Sequence, residues 1–157
     1  MMNERIRRLS LAAIVLTLPS LFVAIACGGG DSSSGGGGDA SFVRDVCGAF
    51  GKAQGDITKL EKDPSLQSDA KKAATELGKV LDTLAGSLSK AKPPADASTE
   101  YNQALTALKA ATAKLKTGDL SAMDNFSPPA FKPDVEARLQ KAAGSEKTCN
   151  GVDAFKS

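Results

Sequence analysis

From Ser41 onward the chain repeats one pattern: apolar residues spaced by three and four, broken at intervals by proline or glycine. Val43, Val46, Phe50, Ala53, Ile57 and Leu60 share one face of a 3.6-residue helix. Asp63-Pro64 is a helix-start signal, an N-cap followed by proline in the first turn. Beyond it, Leu66, Ala70, Ala73, Leu77, Val80, Leu81, Leu84, Leu88 and Ala91 predict one long second helix. Lys90 and Lys92 suit its C-terminal dipole, and Pro93-Pro94 ends it. Asp96 or Ser98 is placed to cap a third helix with an inward face of Tyr101, Leu105, Leu108, Thr112 and Leu115, and Gly118 is placed to close it. Tyr101 is expected at the edge of the core with its hydroxyl in water. After a less regular stretch, Pro133 begins a fourth helix through Val135, Leu139, Ala142 and Ala143, ended by Gly144. Between the last two helices, Asp119–Met123 predicts a short helical turn. Phe126 and Phe131 bracket Pro128-Pro129 and predict a loop pinned to the end of the domain by its aromatics.

The fold class expected is all-α, an antiparallel up-down four-helix bundle over residues 41–157. Composition agrees with it. The apolar residues are mostly Ala and Leu, there is one Tyr and no Trp, and a β-sandwich would ask for more β-branched and aromatic side chains.

The first 40 residues follow a different pattern. Residues 1–8 are polar and carry Arg5, Arg7 and Arg8, and Leu9–Ala26 is almost wholly apolar. These are the n-region and h-region of an export signal over residues 1–26. An uncleaved membrane anchor normally ends in a basic cluster, whereas this run ends in small residues and a cysteine. Val23-Ala24-Ile25-Ala26-Cys27 resembles the lipobox of bacterial lipoproteins, with Ala24 where leucine is usual. The resemblance implies that signal peptidase II cuts before Cys27 and that the Cys27 thiol carries lipid, palmitate among its acyl chains. It also implies an extracytoplasmic cell-envelope protein whose first partner is the membrane, held through that lipid anchor. Acyl chains stabilise membrane binding by about 0.8 kcal/mol per buried CH₂. The resemblance covers residues 1–27 only and says nothing of activity. Residues 27–40 follow as the lipidated cysteine and a Gly/Ser-rich linker, which cannot bury a core and has a reach of about 20 Å.

Charge and missing residue types narrow the function. The net charge of +2 belongs to the leader, where Arg5, Arg7 and Arg8 outweigh Glu4; the rest is balanced and interspersed. Nucleic acid is therefore not an expected partner. Histidine is absent, which removes Ser-His-Asp and Cys-His nucleophilic sites and histidine-ligated zinc or haem. Asp119, Asp124, Asp134 and Glu136 are the densest carboxylates, but helix starts and turns account for them. The lysines, Lys71, Lys72 and Lys114 among them, fall on outward faces, which gives no support to a Ser/Lys dyad. No enzymatic activity, cofactor or metal is expected.

With Cys27 lipidated, Cys47 and Cys149 remain as an even pair in an exported protein. In an up-down bundle the end of the fourth helix returns to the level of the start of the first, so a Cys47–Cys149 disulfide is expected. Gly48, Gly51 and Gly55 each weaken the first helix, and close approach of a neighbouring helix is the expected compensation. The alternative is an apolar ligand lying there or beneath Phe126 and Phe131. The expected role is thus a binding or structural envelope protein with a protein or small-molecule partner, the alternative being a carrier of a small apolar ligand.

Overall fold

A computed structural model describes residues 36–124, 126 and 129–152, with the side chain of Asp124 outside the description. The expected leader, Cys27 and the linker up to residue 35 also lie outside the described residues. In chain order the helices are α1 (Gly36–Glu61), α2 (Pro64–Gln67), α3 (Ala70–Leu88), α4 (Ser98–Lys116), α5 (Ser121–Asp124) and α6 (Pro133–Ser145). Single 3₁₀ turns occupy Ala95–Ala97 and Lys147–Cys149. The main helices α1, α3, α4 and α6 pack together as an all-α domain, with no strand among the described residues.

The expected stripes form the core. Val43, Val46 and Ala53 of α1, Leu77, Leu81, Leu84 and Leu88 of α3, Leu108 and Leu115 of α4, and Val135, Leu139 and Ala143 of α6 are buried, with Phe50 and Ile57 packed partly buried against them. Phe42, one position off the expected stripe, is also buried, its ring edge-on to that of Tyr101 at 5.0 Å. Replacing such fully buried residues by alanine generally costs about 2 to 5 kcal/mol.

Several boundaries differ from expectation, each for a local reason. The expected long second helix is two pieces. Asp63 caps α2 by accepting from the Ser65 N–H at 2.9 Å, and only one turn later Asp69 caps α3 by accepting from the Lys72 N–H at 2.9 Å. The Asp69 carboxylate offers the backbone an alternative to continuing the helix. α3 stops at Leu88, short of Lys90, Lys92 and the proline pair; Ser89 closes it, its hydroxyl donating to the Gly86 carbonyl at 2.8 Å. Neither Asp96 nor Ser98 caps α4. Asp96 lies in the preceding 3₁₀ turn and Ser98 is already helical. Gly118 closes α4 as expected, at φ +87, where glycine is free of the Cβ clash. Its N–H reaches the Leu115 carbonyl at 2.8 Å and that of Asp119 the Lys114 carbonyl at 3.2 Å, the two bonds of a Schellman motif.

α1 starts earlier than expected, at Gly36, so the last residues of the Gly/Ser run are helical. α6 begins at Pro133 with Asp134 and Glu136 in its first turn, as expected, and ends at Ser145, one residue past Gly144.

Candidate functional site

Cys47 and Cys149 form a disulfide with 5.0 Å between their Cα atoms and 102 residues between them in sequence. Both are buried, Cys47 on α1 and Cys149 in the last 3₁₀ turn. Val152 follows onto α1, and its Cγ2 would lie 3.4 Å from a Cβ on Gly51. The C-terminal stretch is thereby fastened along α1.

A second fastening involves Arg138 and Asp39, which sequence reasoning passed over, and Asp96, which it placed as a helix cap. Arg138 of α6 grips Asp96 with both arms of its guanidinium, Nη1 to Oδ2 and Nη2 to Oδ1, each at 2.8 Å. Its Nε lies 2.6 Å from Oδ2 of Asp39, in the first turn of α1. The Nε–H does not point along that line, so the Asp39 contact is ionic rather than a directed hydrogen bond. The hydrogen bond from Arg138 holds the Asp96 carboxyl below the usual carboxylate range, against a smaller opposing effect of desolvation. The same hydrogen bond raises the pKa of the Arg138 guanidinium. Asp39 is 9% exposed, uncommon for an aspartate unless it is paired. Three separate parts of the chain meet at this guanidinium. The one signal in the sequence is an acid, Asp39, directly after the run Gly35–Gly38.

Tyr101 lies beside this region and corrects its expectation. It is 4% exposed, and its hydroxyl donates to the Leu88 carbonyl at 2.8 Å, satisfying an acceptor at the end of α3. Burial raises its pKa above the ordinary 10.0, with the charge of Asp45 adding to the shift.

The other candidates disperse. Gly48 and Gly55 are exposed, and among the described residues a Cβ on either would meet nothing within 4 Å, so no described helix approaches them closely. The close approach occurs instead at Gly78 of α3, where a Cβ would lie 2.8 Å from the backbone nitrogen of Lys116. Phe126 and Phe131 are half-buried against the core, as their pinning role requires. Asp119 accepts from the Ser121 N–H at 3.0 Å and its hydroxyl at 2.6 Å, which lowers its pKa. Asp134 is exposed, and Glu136 accepts from Gln140 at 3.3 Å and has its pKa raised by burial. Among the described residues, no three His, Cys, Asp or Glu side chains are placed to hold a metal ion. Lys72 Nζ lies 3.0 Å from Ser65 Oγ. Both side chains are in solvent, where the ammonium donates to the hydroxyl and does not act as a base.

The fold and its fastenings define a small all-α domain clamped by one disulfide and one bridging arginine. Compared with family models, curated proteins and solved structures, the chain matches none.

Proposed function

We propose that the chain is an exported bacterial lipoprotein, held to the outer face of a membrane by lipid on Cys27 and carrying its helical domain on a Gly/Ser tether. The observation that supports the exported part of this reading is the Cys47–Cys149 disulfide, because disulfides persist in oxidising compartments and are rare in the cytosol. The lipobox-like run supplies the anchor, and the glycine-rich stretch after it the spacing. No described helix is long and apolar enough to cross a membrane, so the described domain contributes no helical anchor of its own. The arrangement of the four main helices is read as an up-down antiparallel bundle. Supporting it, Gly78 of α3 lies against Leu115 and Lys116 of α4 while Leu88 lies against Tyr101, so these two helices run in opposite senses.

The domain serves binding or structure in the envelope rather than catalysis, its partners being the membrane and a protein or small molecule. Balanced charge beyond the leader gives nucleic acid no footing. The second reading, a carrier of a small apolar ligand, draws on the half-buried Phe126 and Phe131, where such a ligand would find aromatic surface.

Mass spectrometry of the protein extracted from its own membranes tests the main reading. It expects an N-terminus at Cys27 bearing acyl chains, and a Cys27→Ala variant that carries no acyl chain and keeps its leader. An intact leader with an unmodified thiol overturns it. Binding of an apolar fluorophore that is lost in Phe126→Ala and Phe131→Ala would favour the carrier.

A further inference from the structure

We propose that Arg138 is a latch that sets where the tether ends and the folded domain begins. α1 opens on Gly36-Gly37-Gly38, and glycine is the poorest helix former after proline, so its own propensity does not hold this turn. Asp39 is buried at that point, and the charge that covers it is the Arg138 guanidinium, 2.6 Å away. Arg138 itself is already held, since Asp96 occupies both of its arms at 2.8 Å. The guanidinium is thus a fixed receiver on the bundle and Asp39 the part that docks. The next anchoring points along α1 are Phe42, edge-on to Tyr101, and Cys47 in its disulfide.

Undocking therefore releases the chain only as far as Phe42. The residues before it pass from about 1.5 Å of helical rise each to as much as about 3.4 Å when extended, adding roughly 10 Å to the tether. The bundle itself stays closed. The latch takes its purpose from the tether reading above, but its geometry does not depend on whether Cys27 carries lipid.

Hydrogen exchange of the full chain, followed by mass spectrometry, tests it in wild type, Arg138→Met and Asp39→Asn. The informative amides are those of residues 40–45, because the first four N–H groups of a helix have no intrahelical partner in any case. In both variants these amides are expected to exchange about tenfold faster or more, while those of residues 50–60 keep wild-type protection. Unchanged protection at 40–45 in both variants overturns the latch, as does absence of protection there in the wild type. Loss spreading equally past Cys47 in either variant also overturns it, since it would make the pair a support of the whole fold. The intact mass of the same samples reports on Cys27 separately, so failure of the anchor and failure of the latch are told apart.

Discussion

Thr112 and Tyr101 are polar side chains that the helical period turns inward, and they end in opposite states. The Tyr101 hydroxyl finds the Leu88 carbonyl, whereas Thr112 is 1% exposed and its Oγ1 has no hydrogen-bond partner among the described residues. An unpaired buried hydroxyl costs free energy that an isosteric methyl does not. Thr112→Val is therefore expected to stabilise the domain by about 1 kcal/mol, read as a rise in the denaturation midpoint. Tyr101 makes stability depend on alkaline pH. Its folded pKa is raised, so its contribution is complete below the unfolded value near 10.0 and fades as pH rises through the folded value. It is the only tyrosine, so tyrosinate absorbance reports this one site. Ionisation is expected to coincide with unfolding in a pH titration, and a separate, earlier ionisation in the folded protein would contradict the burial. That Tyr101 points inward was legible from the stripe; its acceptor was not, because the end of α3 comes beside it only through packing.

At the scale of the helix, glycine phase decides what each glycine does. Gly78 lies among the buried residues Ala74, Leu77 and Leu81 of α3, and the backbone of α4 passes too close for a Cβ. Gly48 and Gly55 fall off the buried stripe of α1 and face open space. Alanine should therefore have opposite effects. Gly78→Ala is expected to destabilise by a net of about 1 to 2 kcal/mol, the strain of overpacking exceeding the gain in helix propensity. Gly48→Ala and Gly55→Ala are each expected to stabilise by about 0.5 to 1 kcal/mol. Thermal melts of the three variants check the signs. Stripe phase alone would have singled out Gly78. Crowding of glycines in α1 drew the expectation of close approach to the wrong helix. The division between α2 and α3 was legible too, since Asp69 is as good a cap as Asp63, but a continuous apolar period masked it.

Across the whole molecule, the buried core is supplemented by a covalent long-range tie. The disulfide joins residues 102 apart, and in the chain-entropy model a loop of that size stabilises a fold by up to about 4.7 kcal/mol. Reduction, or the Cys47→Ala/Cys149→Ala double variant, is expected to lower stability by about 2 to 5 kcal/mol, measured by urea denaturation with and without reductant. A change under 1 kcal/mol would mean that Val152 and the α1–α6 packing hold the C-terminal stretch without the bond.

The local rules of helix formation made the helical class, the four apolar stripes, the Asp63 cap, the Gly118 closure and the start of α6 readable from residue order, because each depends on neighbours within a few positions. The cysteine pairing was readable for a different reason: an up-down order of helices returns the end of the last to the start of the first, and apart from Cys27, the expected lipid carrier, the chain has only these two thiols. The bridging of Asp39 and Asp96 by Arg138 was decided by the tertiary structure alone, as were the site of close backbone approach and the partner of the Tyr101 hydroxyl. Each joins groups on different helices, and their meeting depends on how the stripes pack in three dimensions, which spacing along the chain does not encode.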